Sequence, residues 1–450
     1  YHFGNSDFHS HMFAMLAKHP GIVVLHDFYL SGVVAHMEAH RGHRNIWVKS
    51  LYEGHGYKAL QDRYNAADTA SVVWQYPCSY EVLRNAQGVI VHSEYSVSLA
   101  SHWYGRRDLD KWEVIPLLRA QATPDEVTRD KARSELGLDD TQFVVCSFGL
   151  LGRTKLNHRL LKAWLDSALA RDEQCILVFV GENDAGKYGA DLVKSIRSSE
   201  YKNRIRITGW TEPETFKSYL LAADVAVQLR TLSRGETSAA VLDCMGFGLP
   251  TVVNANGSMA DIESDCVWKL PDEFTDEELA EALSALYRDP ERRQALGRCA
   301  QAAIRKNHDP TTCARTYFEA IERFSKACRS NISSLVQLIA ALDCGNPSGD
   351  CLLTVAQHID RSVQPHLLQR QLLVDVSELV QRDARSGIQR VVREILQEWL
   401  TKPSPAYRIE PIYVVPNSIG YRYARKFTLG FMGCPIDSLS DEPVTYRAGD

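Results

Sequence analysis

"FVVCSFGLLGRTKLNHRLLKAWLDSALARDEQCILVFVGE", residues 143–182, reads as strand, helix, strand. Its flanking runs, FVVCSF (143–148) and CILVFV (175–180), are apolar at nearly every position instead of alternating. That is the pattern of strands covered on both faces. Between them, "NHRLLKAWLDSALA" (157–170) spaces its apolar residues three and four apart, so one helical face is apolar. Strand, crossover helix and buried strand together predict a parallel sheet in a doubly wound α/β lobe.

The same rhythm extends outward. "RIRITGW" (204–210), "ADVAVQLR" (223–230) and "LPTVVNA" (249–255) read as further strands of this lobe, and helices over 276–327 close it. Upstream, "GIVVLHD" (21–27), "GVIVHS" (88–93) and "KWEVIPLL" (111–118) form another strand set. A charged helix, "TPDEVTRDKARSELGL" (123–138), has Pro124 near its first turn and marks the lobe boundary. "DCGNPSGD" suits a connector, after which "QLLVDVSEL" (371–379) and a helix opening at Gly387 begin afresh. The expected organisation is an N-terminal lobe over 1–118, a second lobe over 119–328, a linker over 329–370 and the start of another α/β domain over 371–450.

Bulk properties exclude some classes. A chain of 450 residues is too long for one hydrophobic core, and 45% hydrophobic with 24% charged residues is ordinary for globular domains. A formal net charge of -5 supplies no basic field for nucleic acid, and Arg106-Arg107 reads as solvated surface. The 11 cysteines are scattered singly with no C-x-x-C, which predicts reduced thiols in a cytoplasmic setting. No apolar run is long enough to cross a bilayer, and the first residues do not form a signal peptide, so the sequons at Asn256 and Asn331 carry little weight. The chain opens without Met and stops while strand-like segments are still arriving, so a fragment cut at both ends is expected.

In open α/β sheets ligands settle beyond the carboxyl ends of the strands, which directs attention to four clusters. "TLSRGETSAAVLDCMGFGLPTVV" (231–253) places Arg234-Gly235-Glu236-Thr237-Ser238 before an apolar helix. Gly235 permits close backbone approach, Thr237 and Ser238 suit helix capping, and helix amides attract anions. Glu236 repels an anion but accepts from sugar hydroxyls, and Asp243, seven residues on, is expected two turns along on the same face. A capped helix with one solvated Asp is the plainer alternative. Arg153 and Lys155 follow a glycine-containing turn and suit a diphosphate, though such cations are usually loop surface. His26-Asp27 can orient a substrate, although a lone His is usually structural. Gly209-Trp210 can border a nucleobase, although such a Trp is more often packing. His36-Met37-Glu38-Ala39-His40 is H-x-E-x-H, not the H-E-x-x-H of zinc sites, so no metal is expected. Neither a G-x-S-x-G elbow nor a phosphate loop is present.

Residues 1 to about 325 resemble retaining glycosyltransferases of family 4, with the two-lobed GT-B fold. The resemblance rests on "HPGIVVLHDFYL", "QGVIVHSEYS", "SFGLLGRTK", "ITGWTEPETFKSYLLAADVAVQLR" and "RGETSAAVLDCMGFGLP", in that order. It is nearest the subgroup that builds bacterial O-antigen and capsule polysaccharides, whose members often join several transferase domains. Residues 371–450 resemble the opening of another such domain. By this resemblance the second lobe holds a nucleotide diphosphate sugar, GDP- or UDP-linked, and the first a lipid-linked glycan acceptor. The neighbouring transferase domain and the inner face of the plasma membrane are further implied partners. Lys155 matches the diphosphate-binding lysine, while Leu150 stands where the family has arginine, leaving Arg153 as the substitute. Counting back from Gly248-Leu249-Pro250 puts the second family carboxylate at Asp243 and the first at Gly235, so Glu236 is displaced by one. His26 matches the histidine near the donor sugar. The implied activity is hexosyl transfer, mannosyl first among candidates, without metal or cofactor. The rivals are a nucleotide-sugar epimerase and a catalytically silent glycan-binding or scaffold lobe.

Overall fold

The computed structural model describes all residues except 41, 43–44, 106–108, 121–127, 329–331, 363–369, 383–386, 405–406, 416–419 and 446–450. Arg106-Arg107 and the Pro124 opening of the predicted 123–138 helix lie outside the described residues, where that helix runs Arg129–Glu135. The chain divides into two compact units, one of residues 1–91, 96–114 and 318–450, the other of 92–95 and 115–317.

The second unit is built on a six-stranded sheet. Its strands are β5 (Phe143–Phe148), β6 (Cys175–Val180), β7 (Ile205–Ile207), β8 (Val225–Gln228), β9 (Thr251–Asn254) and β10 (Trp268–Leu270). They lie in the order β10-β9-β8-β5-β6-β7, all parallel. Every residue of β5, β6, β8 and β9 is buried, as runs apolar on both faces require. Each large side chain so covered contributes about 1.5–3 kcal/mol of transfer free energy. Strand order reverses direction at β5, which pairs with both β6 and β8. The loops after β5 and β8 therefore meet at the switch point, where open sheets leave a crevice for ligands.

The first unit holds a parallel sheet of β1 (His2–Phe3), β2 (Gly21–Leu25), β3 (Ala86–Val91) and β4 (Trp112–Val114), in sequential order. The helix Pro310–Cys328, expected to finish the second lobe, ends in the first unit. Phe324 lies so close over β3 that a Cβ on Gly88 would sit 2.3 Å from its ring.

The segment after 370 is also not set apart. It forms a three-stranded sheet, β11 (Arg370–Asp375), β12 (Tyr407–Val414) and β13 (Tyr421–Tyr423), with β11 and β12 parallel and β13 antiparallel. Leu396, Leu400, Ile409, Leu429 and Met432 share one apolar core with Leu51, Leu60 and Phe3. Beside that core Glu410, fully buried, accepts from the Tyr52 hydroxyl at 2.7 Å and pairs with Arg408 Nε at 2.5 Å, while Arg425 Nε donates to Tyr52 at 3.0 Å. Burial and the neighbouring Glu410 charge push the Tyr52 phenol well above its ordinary value, so it stays a donor. Because a buried carboxylate left short of a donor is costly, Tyr52→Phe is expected to lower stability by about 2 kcal/mol, read as a lower urea midpoint.

The linker contains two largely exposed helices, Ile332–Ala340 and Gly349–Ser362, joined by the DCGNPSGD turn. The expectation of unpaired thiols is corrected at Cys266 and Cys299, which form a disulfide with Cα atoms 4.8 Å apart. Folding joins residues 33 apart in sequence, a proximity that spacing does not reveal. Among the described residues no helix is long and apolar enough to cross a membrane.

Candidate functional site

After β5 the chain turns at Gly149, with φ at 102°, and runs beside the loop after β6. Gly149 N–H donates to Val180 O at 3.0 Å and Leu151 N–H to Glu182 O at 2.9 Å. A side chain on Gly181 would meet Gly149 O at 2.1 Å, so this approach requires glycine. Asn157 Oδ1 then accepts from Gly152 N–H at 3.0 Å, and Arg153–Lys155 form a single 3₁₀ turn. That turn is tied to the loop after β8 by Thr231 N–H donating to Thr154 O at 3.0 Å.

Lys155 thus stands beside Arg230 and Glu236. Burial first and the Arg230 charge second lower its pKa to about 7, with Glu236 opposing the shift. A cation short of water and of compensating charge is prepared for an anion. Glu236 takes Arg230 Nη1 on Oε1 at 2.9 Å and Arg234 N–H on Oε2 at 2.7 Å. Arg230 Nη2 also reaches Ser238 Oγ at 3.4 Å, and Ser258 Oγ donates to Glu236 O at 2.9 Å. Asn254 fixes Arg230 through its main chain, accepting from the N–H and donating to the carbonyl at 2.8 Å each.

The helix after this loop begins only at Ala239 and runs to Gly246. Gly235, at φ 90°, and extended Ser238 keep residues 231–238 irregular, so the expectation that Glu236 and Asp243 share a helical face across two turns does not hold. Capping by Ser238 is likewise corrected, because its side chain makes no cap hydrogen bond and instead meets Arg230. Thr237 Oγ1 is buried and finds no partner among the described residues. First-turn amides of the helix consequently receive no side-chain cap from Ser238, which suits an incoming anion. Asp243 pairs with Arg119 Nε at 3.1 Å, and its pKa is raised by burial against the opposing Arg119 charge.

The remaining expected residues fall in one unit or the other. Arg153 is exposed and lines a 550 Å³ cavity with His158, Lys162, Tyr188 and Asp191, while the cation felt by Lys155 is Arg230. Leu150 is 61% exposed. Gly209 has φ 73° and Trp210 is 72% exposed beyond β7. In the first unit, His26 follows β2 with Nε2 3.0 Å from His2 Nδ1 and the two rings stacked. Asp27 Oδ2 accepts from Asn5 N–H at 2.8 Å, anchoring the loop after β1. Glu38 of the H-x-E-x-H stretch is taken by Trp47 N–H and Arg63. Arg230 and Asn254 were missed in the sequence; the available signal was a cation directly closing the apolar run of β8.

A chemical consequence is measurable. When a diphosphate reaches Lys155 its anionic field restores the ammonium, so above pH 7 binding takes up a proton. Nucleoside diphosphate affinity is expected to fall as pH rises above that value, by up to about tenfold per pH unit. Calorimetry in buffers of different ionisation enthalpy reads the proton directly.

Residues 128–303 match the family model described as glycosyl transferases group 1, which takes in Lys155, Arg230, Glu236 and Asp243. Among curated proteins, the serotype-specific mannosyltransferase WbdA of Escherichia coli is 42% identical over 81 residues, 18% of this chain and 9% of that protein's length. Among solved structures, HepE of Anabaena in complex with UDP gives a TM-score of 0.51 at 19% identity, covering 71% of this chain and 77% of that one. Sucrose-phosphate synthase from Thermosynechococcus elongatus gives 0.51 at 18% identity, covering 71% and 78%. The fold class is α/β, GT-B, and the glycosyl transferases group 1 likeness is confined to residues 128–303.

Proposed function

We propose that this chain belongs to a retaining family 4 hexosyltransferase. It moves a mannosyl unit from a nucleotide diphosphate sugar to a lipid-linked glycan in bacterial surface polysaccharide synthesis, at the inner face of the plasma membrane. The observation that carries the reading is Lys155, half-buried with its pKa lowered to about 7 beside Arg230 and Glu236, at a β5–β8 switch point. Lys155, Arg230 and the first-turn amides of the helix Ala239–Gly246 neutralise the departing diphosphate without a metal. Glu236 holds the loop and offers its carboxylate to the sugar, and Asp243 serves the ribose. Gly209 and Trp210 border the base. The short likeness to a mannosyltransferase supports the choice of sugar.

The exposed Leu150 and the Arg119 pair on Asp243 favour the silent-lobe alternative enough to require a decisive assay. A donor screen on the full-length protein, measuring nucleoside diphosphate release with and without acceptor glycan, separates the readings. Acceptor-dependent release is expected; a changed donor without acceptor indicates an epimerase, and no turnover indicates a silent lobe.

A further inference from the structure

Cys266 and Cys299 belong to two different supports of the loop that carries Glu236. The first support is residues 256–266. Asn256 Oδ1 accepts from Ser233 N–H at 3.3 Å, and Ser258 Oγ donates to Glu236 O at 2.9 Å. The approach is so close that a Cβ on Gly257 would lie 2.2 Å from Ser233 Oγ. The second support is the helix Pro290–Asn307, which carries Cys299. Its Ala300 and Ile304 share a core with Val241, Leu242 and Met245 of the helix Ala239–Gly246, and with Met259 and Cys266 of the first support. Gln301 Nε2 donates to Gly246 O at 3.3 Å, and a Cβ on Gly297 would meet Gly248 O at 2.1 Å. The Cys266–Cys299 bond therefore ties to each other the two segments on which the loop and its following helix rest.

The surroundings suit a bond that opens and closes. Cys266 is 1% exposed whereas Cys299 is half-buried, so a thiolate from solution attacks at Cys299 Sγ. That attack forms a mixed disulfide and sends the electron pair of the broken bond to Cys266 Sγ, which takes up a proton. The second thiol of a dithiol reductant then displaces Cys299, which is protonated in turn, and the reductant departs as its own disulfide. Two electrons and two protons have passed to the protein. The released Cys266 thiol finds acceptors in place, because its sulfur lies 3.7 Å from Asp265 Oδ1 and 4.0 Å from Glu263 Oε2. Both redox forms are accommodated, and only the oxidised one joins the supports covalently.

We propose that Cys266–Cys299 is a redox-sensitive clamp on the Glu236 loop. Oxidised, it holds the loop and the helix Ala239–Gly246 ready for a nucleoside diphosphate; reduced by a dithiol, it lets both loosen. Its effect on binding rests on the reading of the Lys155 cluster given above. The test uses the full chain carrying Cys328→Ser, Cys344→Ser and Cys351→Ser, so that the described free thiols that remain are buried. Diamide-oxidised and dithiothreitol-reduced protein are compared, with the bond counted by thiol titration after unfolding. Amide hydrogen exchange over residues 231–246 is read without nucleotide, and affinity for UDP and for GDP is read by calorimetry. Reduction is expected to speed that exchange and to weaken binding of the preferred nucleotide by about fivefold or more. By reciprocity, the same nucleotide favours the oxidised pair by the same factor. Cys299→Ser is expected to exchange like the reduced protein and to ignore diamide. Failure of the bond to form, equal exchange in both forms, slow exchange in Cys299→Ser, or equal affinity in both forms for a nucleotide that does bind would each overturn the clamp. Faster exchange on reduction, with neither UDP nor GDP bound in either form, would support the clamp and sink the functional reading alone.

Discussion

Lys155→Ala is expected to reduce sugar transfer by about 10²–10³-fold and to leave the fold intact or firmer. On the proposed reading the catalytic loss follows from position, because the half-buried ammonium stands beside Arg230 at the loop that would meet leaving-group charge. The stability effect follows from linkage. A lysine at about 7 in the folded chain and near 10.5 unfolded releases its proton early in the folded state. Between those values the unfolded chain holds more protons, so stability rises with pH across the window; below pH 7 the full penalty of the buried charge is present. Alanine removes that penalty. The variant should melt no lower than wild type at neutral pH and lose the rise between pH 7 and 10, as thermal scans across pH would show. Near-normal acceptor-dependent turnover would remove Lys155 from the site.

Glu236→Ala is expected to cost a similar two to three orders of magnitude in turnover, about 10²–10³-fold, with a different stability signature. Its carboxylate accepts from Arg230 and from the Arg234 amide, so truncation removes one anchor from each and loosens the loop before Ala239. A loss of about 1–3 kcal/mol is expected from the donors left unpaired. Glu236→Gln keeps an acceptor for the Arg234 amide and should recover much of that stability, but not the charge. If Gln restores turnover along with stability, the carboxylate acts on the loop rather than on the sugar.

Much of the second unit is legible in the sequence because β5 and β6 are buried on both faces, which leaves unbroken apolar runs. Lys155 is singled out in the sequence for a related reason: a glycine turn directly after such a strand marks the sheet end where ligands collect in open sheets. Short edges such as β10 carry too few residues to show a period. Helical phase misplaced Glu236 because Gly235 and extended Ser238 delay the helix to Ala239, a backbone choice that residue spacing does not encode. Arg230 passed as an ordinary strand end. The Cys266–Cys299 bond and the Tyr52–Glu410 contact join residues far apart in the chain, and local pattern has no access to either.

The shared core of Leu51 and Leu60 with Leu396, Leu400 and Ile409 sets an order on biosynthesis. During translation, residues 115–317 can collapse as soon as they emerge, whereas the opening segment must wait for partners made more than three hundred residues later. For that interval Tyr52 lacks Glu410 and the face that β12 will cover is open to water. Residues 1–91 are therefore made before 115–317 yet finished after them, and their exposure to chaperones is written into the connectivity.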